Sequence, residues 1–410
     1  MPRSYVFAKL RLPVCGALAL VALGGCTTSP TVGSFYQVPP GPLRSRPGDL
    51  LRSERMSGAP AGSEAYRILY ASQGPDGNVI PVSGVVVVPA GASNARNIVA
   101  WAHPTTGIAT HCAPSLSSGI FKSIPGLKDM LARRYVVTAT DYPGLGTVGP
   151  NPYLVGLSEG RAVLDSVRAA RQVPGANAGS RCVLWGHSQG GQGVLFAGEI
   201  ARRYAPELSV VGVAAIAPPT DLETLLRRNI KSELGGVLGS YCLSSWSRYY
   251  GAPIELLVSP ASQRAVEKLA ATCVGGIGDA IRMKLELRGL SENFVLRDPT
   301  ATEPWRGLIL RNTPGREPAG APLFIAQGTI DPIIPPIVTA RFVGQQRGRG
   351  ERVRFVQLDQ IGHLVAGHAS VYTTLPWIDA RFAGLPAPND DSVDRSFSRK
   401  HGNAREIQWF

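Results

Sequence analysis

The chain has no His-Glu-x-x-His and no Cys-x-x-Cys, so the usual signatures of catalytic and structural zinc are missing. No block of Lys and Arg alternates with aromatic residues, which argues against nucleic-acid binding despite a net charge of +13. Three of those charges, Arg3, Lys9 and Arg11, fall in the first eleven residues. The remaining excess suits a mildly basic surface facing an anionic envelope. Internal repeats are absent, which sets aside solenoids and propellers. Cofactor-binding signals are also lacking. Gly144-Leu145-Gly146-Thr147-Val148-Gly149 matches G-x-G-x-x-G, but that motif must open directly into a helix, and Pro150 and Pro152 follow at once. No cofactor and no metal are expected.

What is present is apolar material in short runs. At 410 residues and 44% hydrophobic, the chain can bury one large domain with an insertion. The runs Ile98–Ala102, Tyr135–Thr140, Cys182–Trp185, Val210–Ile216, Leu323–Gln327 and Val353–Leu358 are four to seven residues long. Helical stretches separate them, one being Ser158–Gln172, where Val163, Val167 and Ala170 share a face. That alternation predicts buried parallel strands. Tyr66–Ser72 and Val79–Pro89 flank the turn Gly74-Pro75-Asp76-Gly77 and predict an antiparallel pair. The expected fold is α/β: a mostly parallel sheet flanked by helices, with a largely helical cap inserted at about 220–305, where the alternation stops.

The boundaries read as follows. Residues 1–25 form an export signal, with a basic start and the apolar run Pro13–Gly25, too short to span a bilayer comfortably. Leu23-Gly24-Gly25-Cys26 resembles a bacterial lipobox, which predicts cleavage before Cys26 and its acylation. The protein would then be a membrane-anchored envelope lipoprotein, in the outer membrane where the organism has one. Residues 26–63 read as a flexible tether, 64–385 as the catalytic domain and 386–410 as a polar tail.

The strongest chemical signal is Gly186-His187-Ser188-Gln189-Gly190, a G-x-S-x-G between a strand-like run and a plausible helix, Gln192–Tyr204. This is the context of a nucleophile elbow, whose sharp turn admits only small residues two before and two after the serine. Ser188 is the candidate nucleophile. Such a serine needs a base and an orienting acid, in the chain order Ser, acid, His. His363 lies just after the last strand-like run and is the candidate base, with His368 as rival. Asp331 follows the strand Leu323–Gln327 and is the candidate acid, with Asp359 as rival. An oxyanion hole needs two backbone N–H groups. One falls to Gln189. The other falls to the loop after Ile98–Ala102; Pro104 has no N–H, so Thr105 is preferred and Thr106 is its alternate.

These pieces together resemble the secretory lipase family of α/β-hydrolases. The resemblance is carried by Ala102-His103-Pro104-Thr105-Thr106-Gly107 with Cys112-Ala113-Pro114-Ser115, and by Asp141-Tyr142-Pro143-Gly144-Leu145-Gly146. Pro152-Tyr153-Leu154, Leu164–Arg171, the Gly186–Gly191 elbow and the acid and base loops complete it. It covers roughly residues 64–385 and implies a lid-bearing lipase or esterase with a Ser188, Asp331 and His363 triad. It also implies a disulfide from Cys112 to the cap, to Cys273 or alternatively Cys242, while Cys182 reads as a buried free thiol. The expected substrates are esters or acylglycerols. Competing readings are a peptidase or acyltransferase on the same triad, and a non-catalytic lipoprotein that binds a hydrophobic ligand. For an acyl pocket, Leu234, Val237, Leu238, Ile254, Leu256, Leu257 and Val258 are the expected wall, and the Gly clusters at 235–239 and 275–278 are either hinges or tight turns.

Overall fold

A computed structural model describes residues 32–401 apart from 39, 40, 42, 92–94, 276 and 291–293. The export signal and Cys26 lie outside the described residues.

Ten strands form one sheet: β1 Leu50–Arg55, β2 Ser63–Gln73, β3 Val79–Pro89, β4 Arg96–Ala102, β5 Val136–Thr140, β6 Ala178–His187, β7 Ser209–Ile216, β8 Leu323–Gly328, β9 Val353–Leu358 and β10 Asp391–Asp394. Their order is β1-β2-β3-β5-β4-β6-β7-β8-β9-β10. The first three are antiparallel, and everything from β5 to β10 is parallel. Helices cover both faces: α1 Ile120–Ser123, α2 Leu127–Ala132, α3 Gly156–Ala170 and α4 Gln189–Tyr204. The insertion follows β7 with α5 Leu222–Asn229, α6 Glu233–Tyr250, α7 Pro260–Ala270, α8 Ile277–Leu287 and α9 Trp305–Arg311. Then come α10 Pro336–Gly348, α11 Ala366–Ala369, α12 Val371–Phe382 and α13 Ser396–His401.

The strand pleat divides the core in two. In β6, Cys182 and Leu184 face one layer with Leu164 and Val167 of α3 and Val194 of α4. Val183 and Trp185 face the other, with Met130 of α2 and Trp377 and Ile378 of α12. Because both faces are covered, the central strands are apolar throughout. The cap has a separate core built from Tyr241, Trp246, Leu257, Val258, Val266, Leu269 and Trp305.

Several expectations need correction. The tether does not run to residue 63. Phe35 and Tyr36 are buried, and the guanidinium of Arg67 lies 5.6 Å from the centre of each ring. β1 then pairs with β2, so the domain takes in residues counted as linker. The polar tail joins the fold, since β10 extends the sheet beside β9. The cap continues past 305, because Trp305, Leu308 and Ile309 of α9 belong to its core. Gly235, Gly236 and Gly239 do not form a tight turn; they lie within α6, where a Cβ on Gly239 would sit 2.6 Å from Ile230 Cδ1. Finally, Val237, Leu257 and Val258 are buried in the cap's own core.

Candidate active site

β6 ends at His187 and α4 begins at Gln189, so the chain reverses at one residue. Ser188 takes φ 54° and ψ −119°, a conformation L-residues rarely adopt. The turn holds because its neighbours have no side chain. A Cβ at Gly186 would lie 2.1 Å from the Gly190 carbonyl, and one at Gly190 would lie 2.0 Å from the Ala102 carbonyl. The Ser188 N–H donates to Ile216 O at 2.8 Å, which pins the turn to β7.

The structure brings Ser188, His363 and Asp331 together. His363 Nδ1 is 2.7 Å from Asp331 Oδ2, and its Nε2 is 2.8 Å from Ser188 Oγ. A carboxylate only accepts, so Nδ1 carries the proton and Nε2 is left to accept from the serine. Asp331 is held from both sides. Its Oδ1 accepts from the Ile333 and Ile334 N–H groups, each at 2.9 Å, and its Oδ2 also accepts from Gln327 Nε2 at 2.9 Å. Burial alone would push this carboxyl up, but His363 and the backbone donors outweigh burial and hold it below the usual carboxylate range. His187 stands behind His363, with Nε2 3.0 Å from the His363 carbonyl. Burial, with His363 nearby, pushes His187 down to about 3, so it stays neutral and donates.

The rivals lie elsewhere. His368 is exposed on α11. Asp359 pairs with Arg395 at 3.2 Å.

The loop after β4 packs against the first turn of α4, as the contact between Gly190 and Ala102 requires. Neither the Gln189 nor the Thr105 backbone N–H has a hydrogen-bond partner among the described residues. The loop is braced from below. Tyr142, itself at φ 69°, donates its hydroxyl to His103 O at 3.0 Å. Asp141 accepts from Ser83 Oγ at 2.6 Å and from the Ser115 N–H at 2.9 Å, which gives the Cys-Ala-Pro-Ser motif a task. Thr105 Oγ1 meets the Tyr153 hydroxyl at 2.9 Å.

A disulfide joins Cys112 to Cys273, while Cys182 and Cys242 are buried free thiols. Gly107, at φ +115°, lies against this bridge: a Cβ there would be 2.7 Å from Cys112 Sγ and 2.9 Å from Cys273 Cα. The Val274 N–H donates to Thr106 O at 2.8 Å. The bridge and this bond tie the cap to the loop that carries Thr105. His111 lies beside the two sulfurs, which are committed to each other and not free to hold a metal.

Sequence reasoning missed Glu159, and it named Asp141 and Tyr153 only within family-like motifs, without a role for either. A cavity of about 370 Å³ opens between the 108–111 and 149–151 loops and the cap, lined by His111, Asn151, Arg248 and Glu267 among others. None of Ser188, Asp331 and His363 lines it. No helix among the described residues is long and apolar enough to cross a membrane.

The family model described as Secretory lipase matches residues 124–390. Lipase 10 of Candida albicans is 27% identical over 402 residues, covering 88% of this chain and 83% of its own length. A protein of Mycobacterium tuberculosis named as a probable inactive lipase is 25% identical over 377 residues, with 87% and 83% covered. Among solved structures, Candida antarctica lipase A in its closed state aligns with a TM-score of 0.71 at 20% identity, covering 87% of each chain.

Proposed function

Because this chain belongs to the secretory lipase family and is a serine ester hydrolase, we propose that Ser188, His363 and Asp331 are its catalytic triad. His363 Nε2 takes the Ser188 proton as Oγ attacks the ester carbonyl. The Gln189 and Thr105 N–H groups receive the oxyanion. The tetrahedral adduct collapses to an acyl-enzyme, and His363 returns the proton to the departing alcohol. Water then enters, again through His363, and releases the acid. Asp331 keeps the imidazole in the tautomer that can accept from Ser188.

The observation that carries this reading is the run of two hydrogen bonds, 2.8 and 2.7 Å, from Ser188 Oγ through His363 to Asp331. The mycobacterial relative's name suggests a second reading, a hydrolase scaffold without turnover. The intact hydrogen-bond run favours turnover here. Ile330 and Leu364, chain neighbours of the acid and the base, are 42% and 54% exposed. They suit the apolar part of an ester better than a charged peptide. The substrates are short-to-medium acyl esters and acylglycerols, and a peptidase or acyltransferase role ranks below them. The protein is exported and held on a membrane by an acylated Cys26.

The test is hydrolysis of p-nitrophenyl esters of graded length beside peptide anilides, with a fluorophosphonate to mark the nucleophile. Esters should be cleaved, Ser188→Ala should fall to near background, and the label should sit on Ser188. Labelling at another serine sinks the assignment. Intact mass and membrane fractionation of Cys26→Ser test the anchor.

A further inference from the structure

Behind the elbow lies a carboxyl group to which the reaction above gives no part. Glu159, in the first turn of α3, has no exposed surface. Its Oε1 accepts from the Leu154 N–H at 2.9 Å and from Gln189 Nε2 at 2.8 Å. No cation compensates it among the described residues. The titratable groups that face it are Tyr142 from the loop after β5, Tyr153 from the loop before α3, and Cys242 and Tyr250 from α6; burial keeps all four protonated. An ionised carboxylate in such surroundings is unfavourable.

Two buried oxygens here lack a hydrogen-bond partner: Glu159 Oε2 and Gln189 Oε1. They are the remaining oxygens of the two groups already joined at 2.8 Å. A proton on Glu159 Oε2 would give this pair a donor to set against the unsatisfied Gln189 Oε1, and a second hydrogen bond between acid and amide would close a ring. The ionised form leaves both oxygens unsatisfied.

We propose that Glu159 is a positioning residue of the oxyanion hole, a carboxylic acid kept protonated that clamps the Gln189 side chain and so fixes the direction of the Gln189 backbone N–H. The inference rests on the reading of Ser188 as nucleophile and Gln189 as oxyanion donor. Burial pushes the Glu159 carboxyl up to about 8, the hydrogen bonds from Gln189 and Leu154 opposing it in part. Its proton is therefore lost to solvent within the working range of an esterase, and the clamp loosens as it goes. A glutamine at 159 would keep the ring without titrating: its oxygen would accept from Leu154 and Gln189, and its amide would donate to Gln189 Oε1.

The experiment measures kcat and KM against pH for the full chain and Glu159→Gln on a soluble short-chain p-nitrophenyl ester. Infrared spectra are recorded in the carboxylic C=O region. In the unmodified protein kcat should fall roughly tenfold as pH rises through about 8, with KM little changed, as for weakened oxyanion stabilisation. Glu159→Gln should hold neutral-pH kcat within about threefold and lose that limb. A protonated-carboxyl band should be present at acid pH, disappear in alkali and be missing from Glu159→Gln. Glu159→Ala should lower kcat by roughly 10- to 100-fold below about pH 8, with a smaller gap above it; where it fails to fold, Glu159→Gln and the infrared band decide. An alkaline limb unchanged in Glu159→Gln, or no band assignable to Glu159 at acid pH, overturns the proposal. Failure of the fluorophosphonate to label Ser188 defeats the underlying reading instead, and the infrared band still reports the state of Glu159.

Discussion

Asp331→Asn offers a sharp perturbation, because the structure fixes which way the new amide must turn. Oδ1 accepts two backbone N–H groups, from Ile333 and Ile334. An asparagine can satisfy them only with its oxygen, which forces its NH₂ into the place of Oδ2. There it faces two donors, His363 Nδ1–H and Gln327 Nε2. The conflict with His363 is relieved by moving the imidazole proton to Nε2, and His363 then cannot accept from Ser188. A triad held in the wrong tautomer loses about 10⁴ in kcat, or about 5.5 kcal/mol of transition-state stabilisation. Stability should change far less. Gln327 Nε2 keeps a bond to the Ile334 carbonyl at 3.0 Å, so the loss should be about 1–2 kcal/mol. The assay is kcat on a soluble ester with a urea melt of the same preparation. The control is Asp359→Asn, which breaks a partly exposed pair with Arg395 and should cost under about 1 kcal/mol with kcat unchanged. If Asp331→Asn keeps kcat within about tenfold, or Asp359→Asn is the one that collapses, the acid has been assigned to the wrong carboxylate.

Further outcomes follow from the same contacts. The disulfide closes a loop across a separation of 161 residues, so Cys112→Ala/Cys273→Ala should lose about 2–5 kcal/mol in a urea melt. It should also lower kcat, because Gly107 and Thr106 rest on the bridge; full activity with unchanged stability would show that the bridge supports nothing. Glu159 sets a sign for stability against pH. Its carboxyl sits at about 8 in the folded state against an ordinary 4.5, so the native protein holds the extra proton between those values. The stability that the protonated group contributes is complete below about 4.5 and is lost as pH rises to about 8. The Tm of Glu159→Gln should accordingly gain on that of the unmodified protein across this window, and a constant gap would refute the assignment. Tyr153→Phe removes the hydroxyl that holds Thr105 Oγ1 and should cost roughly 1 kcal/mol of stability and up to tenfold in kcat; an unchanged kcat would detach Tyr153 from the oxyanion loop.

The parts of the sheet that could be read from sequence are those buried on both faces. β4 to β9 had to be apolar at nearly every position to sit between two helical layers, and that leaves continuous runs. β1 and β10 gave no such signal. Leu50–Arg55 carries Arg, Ser, Glu and Arg outward, and Asp391–Asp394 is polar. An edge strand is held largely by backbone hydrogen bonds, which any side chains permit, so its sequence resembles a linker. Phe35 and Tyr36 were hidden for a related reason: two aromatic residues in a Pro- and Gly-rich stretch have no periodicity to display.

The site divides along the same line. The candidate elbow, acid and base were legible because each is fixed by local chain geometry at the end of a strand. Glu159 was not, because its partner lies 30 positions away and the two meet only once α3 and α4 pack. The cap was misjudged for a different reason: glycine favours both turns and close helix packing, and the sequence does not say which. The structure decides for packing, and this changes what the cap does. Ser245 Oγ on α6 donates to the Asn151 carbonyl at 2.6 Å and accepts from the Tyr153 N–H at 2.9 Å, and Trp246 Nε1 donates to the Tyr153 carbonyl at 2.8 Å. Tyr153 in turn holds Thr105. Swinging α6 away would therefore break three buried hydrogen bonds, about 1 kcal/mol each, and loosen Thr105, the proposed oxyanion donor. α6 is thus part of the site's foundation, and a lid motion that preserves catalysis has to leave it in place.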